Sequence, residues 1–169
     1  MDWQNVALLI SAIVFAAFLI FKMRPAVTPG ARASVQALEE AKRRVEAAKD
    51  EAARAIALAD AADACARLGR TNSATGFYLR AFRADPQSRQ LVERAKAALA
   101  HRPAALETLM WRHLAAHPWS GNHKDAAIAG LQVLAEVYGR RHRHHVRAEA
   151  IGHALAALGA PIPNDVRRP

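Results

Sequence analysis

An almost unbroken apolar run, WQNVALLISAIVFAAFLIF at residues 3–21, opens the chain and contains no formal charge. As an α-helix this segment would extend about 28 Å, close to the roughly 30 Å hydrocarbon core of a bilayer. An isolated segment in lipid must satisfy its backbone polar groups internally, and a helix does so. The run therefore predicts an N-terminal transmembrane helix, with residues 1–24 as a single-pass membrane anchor.

A cleaved secretory signal is the alternative interpretation of the same run. Such signals begin with positive charge and have an apolar part of roughly 7–15 residues, whereas here only Asp2 precedes a longer run. Lys22 and Arg24 follow it, so the positive-inside rule predicts a periplasmic N-terminus and a cytoplasmic remainder at the inner membrane. Trp3, Lys22 and Arg24 are the predicted membrane-interface residues.

The rest of the chain predicts an all-α domain. Alanine dominates it, and no stretch after residue 25 shows the alternating apolar pattern of a strand. The segment PAVTPG predicts a linker at 25–33, followed by a helical domain at 34–159 and a Pro-rich tail at 160–169. Because Cys65 is the one cysteine, no intrachain disulfide can form, which suits a reducing compartment.

Apolar spacing and turn residues predict about six helices in this domain. Ser34 is the predicted N-cap of a long Ala-rich helix to about Leu68, in which a break is expected near Lys49 and Asp50. A second helix ends before Pro86. The other four are predicted over residues 89–100, 103–117, 124–138 and 144–158, with Gly159 as the final C-cap.

Residues 68–86, LGRTNSATGFYLRAFRADP, form the most specific motif of the chain. They resemble the second half of a tetratricopeptide (TPR) repeat, in which a tight turn leads into a helix with small and aromatic residues at set positions. The matching residues are the turn glycine Gly69, the small residues Ala74 and Ala81, the aromatic Tyr78 and the helix terminator Pro86.

The resemblance extends into the preceding helix, which would begin near Ala55. There Ala62 takes the small crossing position and Leu58 the large one, whereas Cys65 stands where an aromatic residue is common. One repeat of about 34 residues cannot bury its own faces. The resemblance therefore implies a TPR-like helical-hairpin array, in which the other helices form degenerate units.

The same resemblance implies a groove for protein partners. TPR arrays bind partners along the concave face that their first helices line. On this chain that face would carry Leu58, Asp60, Arg67, Val92 and Lys96.

Basic residues exceed acidic ones, 24 to 15, which gives a formal net charge of +9. The densest basic segment is residues 139–147, where Arg140, Arg141, Arg143 and Arg147 are predicted to contact anionic lipid or an acidic partner. A solvated basic turn between the last two helices is the alternative interpretation.

Sequence motifs for catalysis or cofactor binding are absent. His113, His117 and His123 are close in sequence, but they lack an HExxH pattern and a nearby cysteine, so we predict no metal site. No P-loop, nucleophile elbow or dinucleotide motif occurs, and no pattern of a nucleic-acid-binding domain. A catalytic role would need a polar pocket between the fourth and sixth helices, and no sequence pattern indicates one. We therefore predict a protein that is not an enzyme.

Taken together, these features predict a non-catalytic, membrane-anchored scaffold for protein–protein interaction. Its expected partners are other membrane-protein subunits, which makes it an accessory subunit of a larger assembly such as a photosynthetic or respiratory complex. The alternative is a basic membrane-surface protein that binds anionic lipid or self-associates to organise the envelope.

Overall fold

The computed structural model describes residues 29–139 and 145–161, together with Trp3, Ser11, residues 13–15 and Phe18. Two compact units divide the chain, Met1–Ala33 and Ser34–Pro169. The first unit contains the apolar run, and the second contains the helical domain.

The first unit corrects the membrane prediction. Within the described residues, no helix is both long enough and apolar enough to cross a membrane. The predicted transmembrane anchor at residues 1–24 is therefore wrong, and so is the predicted single-pass inner-membrane localisation. Hydropathy counts apolar residues, whereas a span also needs one continuous helix of about 20 residues. Trp3 is 83% exposed, and Lys22 and Arg24 lie outside the described residues.

The part of the chain from residue 29 onward is all-helical wherever it is described, as the sequence predicts. Seven α-helices and one short 3₁₀ turn, Gly121–His123, occur there. The helices are α1 Pro29–Ala47, α2 Glu51–Arg67, α3 Thr71–Ala84, α4 Arg89–Ala98, α5 Pro103–Ala116, α6 Lys124–Gly139 and α7 His145–Ala157.

Helix boundaries follow local capping chemistry. The long predicted helix is interrupted at residues 48–50, where the Asp50 carboxylate accepts a hydrogen bond from the Ala53 amide at 2.6 Å and caps α2. Ser34 is not an N-cap, because α1 already begins at Pro29, a residue suited to the first helical turn. The predicted linker 25–33 accordingly overlaps the start of α1, and residues 25–28 lie outside the described part.

The α2–α3 hairpin depends on a glycine turn. Gly69 has φ +72°, and the amides of Gly69 and Arg70 donate to the carbonyls of Ala66 and Cys65. This is the Schellman pattern, in which a left-handed residue satisfies the last carbonyls of a helix. The same pattern ends α7 at Gly159, with φ +71°.

The helices of the second unit pack in alternation. Helices α2, α4 and α6 lie side by side in that order, while α3 packs on α5 behind them and α7 packs on α6. Such alternation is typical of stacked helical hairpins, where each hairpin covers the face that its neighbour leaves open.

Small residues let these helices approach closely. Ala61, Ala62, Ala74 and Ala81 are fully buried around the α2–α3 contact, and Tyr78 fills the space beside them. An alanine contributes little buried area, so the apolar contacts of this hairpin are weaker than those of a leucine-rich one.

A polar network joins the first four helices. The Arg94 guanidinium of α4 donates to Asp60 and to Asp63 of α2, each at 2.6 Å. Asp60 also accepts from Arg44 of α1 at 2.7 Å, and Asp63 accepts from the Tyr78 hydroxyl of α3. These charged hydrogen bonds fix the relative position of helices whose apolar contacts are small.

We expect a Gly69→Ala variant to lower the free energy of unfolding by about 1 kcal/mol, because alanine is strained at positive φ. Gly76→Ala is the matched control. It lies inside α3 with open space around its Cβ position, so it should stabilise by about 1 kcal/mol. Urea denaturation measures both, and effects of the same sign would contradict the turn assignment.

We expect Arg94→Met to lower the free energy of unfolding by about 2 kcal/mol, since the half-buried Asp63 loses its cation and Asp60 loses one of its two. Arg89→Met, on the same helix, removes only an exposed pair with Glu93 at 3.9 Å and should change stability by less than about 0.5 kcal/mol. Equal effects of the two variants in urea denaturation would show that the network contributes nothing to the free energy of unfolding.

Candidate functional site

A groove lies between α2 and α4. It has a volume of about 450 Å³ and is lined by Asp63, Ala66, Arg67, Arg94, Ala97, Ala98 and His101. The residues recur at helical spacing, three and four apart, so each helix contributes one face to the groove. Alanines form the apolar part and charged groups the polar part.

The charges of the groove differ in how they are satisfied. Burial acts to lower the pKa of Arg94, but hydrogen bonds from its guanidinium to Asp63 and Asp60 outweigh this and raise the pKa above its usual value. Arg67 and His101 are exposed and make no ion pair with any described residue. Among the described residues, the groove therefore offers an exposed guanidinium and an exposed imidazole to a binding partner.

The structure places the predicted partner-binding residues in three different settings. Leu58 and Val92 are 4% and 0% exposed and belong to the core, so neither can touch a partner. Asp60 is held by Arg44 and Arg94, and Lys96 pairs with Glu136 of α6 at 2.5 Å.

Arg67 alone of those five residues is exposed and lines the groove. Sequence reasoning placed Leu58 and Val92 on the wrong face, because large residues of a first helix pack toward the second helix. The missed residues Arg94, Ala97 and His101 had a usable signal, since they recur three and four apart along α4 and the turn that follows it.

The residues that defined the TPR resemblance lie in the core or at the ends of helices. Ala62, Ala74, Tyr78 and Ala81 are fully buried. Gly69 makes the turn, and Pro86 follows the end of α3. The assignment of the chain to that repeat class stays a prediction.

A larger cavity of about 560 Å³ lies among α5, α6 and α7. These are the fourth to sixth helices of the sequence prediction, between which a catalytic role would need a polar pocket. The described lining of the cavity is mostly apolar: Glu107, Trp111, Trp119, Leu131, Tyr138, Arg147, Ala150, Ile151 and Ala154. Its size is in the range of small-molecule sites, roughly 300–1,000 Å³.

A chain of hydrogen bonds crosses this cavity. The Trp111 indole donates to the Tyr138 hydroxyl at 2.9 Å, and that hydroxyl donates to the Glu107 carboxylate at 2.7 Å. Burial and the carboxylate of Glu107 raise the pKa of Tyr138. Arg147 approaches Glu107 at 3.4 Å and lies 5.8 Å from the centre of the Tyr138 ring.

Of the four predicted anion-contacting arginines, the structure describes only Arg147, which lies at the cavity. Arg140, Arg141 and Arg143 are outside the described residues. The sequence indicated the basic segment but not that its last arginine would meet Glu107 of α5, since that contact spans 40 residues.

Three histidines gather between α5 and the 3₁₀ turn. His113 is 5% exposed and stacks on Phe82 with ring centres 4.2 Å apart, while His117 stacks on His123 at 5.0 Å. No set of three metal-ligating side chains suited to an ion occurs in the described ranges. The Nδ1 atoms of His113 and His123 are buried without a hydrogen-bond partner among the described residues.

Cys65 is buried in the α2–α3 hairpin. Burial raises the pKa of its thiol, which keeps the side chain neutral and a poor nucleophile. Its surroundings favour a packing role.

The buried His113 makes stability depend on pH. Burial, with His117 and His123 nearby, lowers the pKa of His113 to about 4 from its usual 6.5. The unfolded chain therefore binds a proton in the window between these values, so folding stability is complete above pH 6.5 and falls as the pH drops toward 4. The full effect is about 3 kcal/mol.

We expect His113→Phe to remove this part of the pH dependence, because phenylalanine keeps the stack on Phe82 and cannot be protonated. His153→Phe, at an exposed position of α7, should keep the wild-type profile. Urea denaturation of both variants from pH 4 to 7.5 measures the difference. A wild-type slope retained in His113→Phe would contradict the assignment.

No family model, no curated protein and no solved structure matches the chain.

Proposed function

We propose that this protein is a non-catalytic interaction module, whose helical domain binds an acidic segment of a partner protein along the α2–α4 groove. The observation that carries the proposal is the groove itself, with alanines between the exposed guanidinium of Arg67 and the exposed imidazole of His101. A partner chain could approach closely over Ala66, Ala97 and Ala98, because their side chains are short.

Charge complementarity identifies the kind of partner. Arg94 is already neutralised by two carboxylates, which leaves Arg67 to attract negative charge and His101 to offer a hydrogen-bond donor. The formal net charge of +9 adds long-range attraction for an acidic surface. The TPR resemblance favours the same face, since first helices line the binding groove of that class. The role of an accessory subunit in a larger complex follows as part of this proposal.

In-cell photo-crosslinking tests the proposal directly. A benzophenone amino acid at Ala97 lies in the groove, and one at Ala156, exposed on α7, serves as the position control. We expect a crosslink from position 97 to an Asp- and Glu-rich segment of another protein, identified by mass spectrometry, and none from position 156.

We expect the double variant Arg67→Glu with His101→Glu to reduce that crosslink at least tenfold, because like charges then face each other. Arg43→Glu with His153→Glu changes the same residue types at exposed positions elsewhere and should leave the crosslink unchanged. A crosslinked segment without acidic residues, or equal loss in both double variants, would contradict the proposed groove.

A further inference from the structure

The cavity among α5, α6 and α7 is not used by the proposed groove. It lies on helices beyond the α2–α4 face and shares no lining residue with the groove. Aromatic and aliphatic walls surround most of it, contributed by Trp111, Trp119, Leu131 and Ile151. Such walls bind an apolar body of drug-like size.

The polar groups in the cavity differ in how closely they are hydrogen-bonded to one another. Trp111, Tyr138 and Glu107 are joined by hydrogen bonds of 2.9 and 2.7 Å. Arg147 meets Glu107 only at 3.4 Å, and its side chain is 60% exposed. A guanidinium has five N–H donors, so Arg147, which lines the cavity, retains donors beyond its contact with Glu107.

Arg94 in the same protein shows what such a guanidinium can hold. It binds two carboxylates at once, each at 2.6 Å. Arg147 has one carboxylate partner among the described residues, at a longer distance. A second carboxylate, supplied by a ligand, would complete the same arrangement, and its charge would be balanced by a strongly basic chain.

We propose that this cavity binds a small amphipathic carboxylate. Its carboxylate accepts hydrogen bonds from Arg147, and its apolar body lies between Trp111, Trp119 and Ile151. An uncharged molecule of the same shape would bind the walls but lose the contact with Arg147.

Decanoate is a suitable probe, used below its critical micelle concentration, with decanol below its solubility limit as the uncharged counterpart. The full chain with Trp3→Phe limits the indole fluorescence to Trp111 and Trp119, the two tryptophans that line the cavity. We expect saturable one-to-one binding of decanoate, at least tenfold tighter than that of decanol.

Two kinds of variant locate the binding. Arg147→Gln should weaken decanoate binding about tenfold and leave decanol binding unchanged, whereas Arg43→Gln, an exposed arginine of α1, should alter neither. Ala154→Phe fills the cavity and Ala150→Phe blocks its exposed edge. Each should abolish binding, and circular dichroism verifies that each variant is folded.

Three results would overturn the proposal. They are equal affinity for decanoate and decanol, an Arg147→Gln variant that binds as Arg43→Gln does, and unchanged binding by a folded Ala150→Phe variant. Because Ala150 is exposed, that variant stays informative even when Ala154→Phe does not fold. The groove proposal is independent of these outcomes, since none of the variants touches α2 or α4.

Discussion

One guanidinium, that of Arg94, determines how the first four helices meet. It joins α4 to two carboxylates of α2, and those carboxylates in turn hold Arg44 of α1 and the Tyr78 hydroxyl of α3. Every member of this network is satisfied by another, which is the condition under which half-buried charges stabilise a fold. Removing Arg94 leaves Asp63 without a cation, and removing either carboxylate leaves Arg44 or the Tyr78 hydroxyl without its partner.

The network matters because the helices around it are built from alanine. Ala59, Ala61 and Ala62 let α2 pack closely but exclude little apolar area from water. Leucines and aromatics are concentrated instead in α5 and α6, where Leu109 and Leu134 are fully buried. The domain thus has two halves. Hydrogen bonds between charged groups hold the half with the α2–α4 groove, and apolar packing holds the half with the α5–α7 cavity.

Sequence reasoning predicted the helices of the second unit well, because periodicity, proline and glycine act locally. Gly69, Pro103 and Gly159 end or begin helices within a few residues of the expected positions. It was wrong where contacts between residues far apart in the sequence determine the structure. Ser34 lies inside a helix that begins earlier, and Leu58 and Val92 face the core rather than a groove. The transmembrane prediction was wrong, since no helix of the described residues is long and apolar enough to cross a membrane. Neither the two hydrogen bonds of Arg94 nor the Arg147–Glu107 contact had a local signal, since each joins residues 31 or more apart.

A double-mutant cycle on Arg94 and Asp63 tests the central claim most directly. The cycle compares the free energies of unfolding of Arg94→Met, Asp63→Asn and the double variant with that of the wild type. If the network positions the helices, the two single effects are not additive, and the coupling energy is about 1–2 kcal/mol. Additivity within about 0.3 kcal/mol would contradict the account, because it would mean that α2 and α4 are held by their apolar contacts alone.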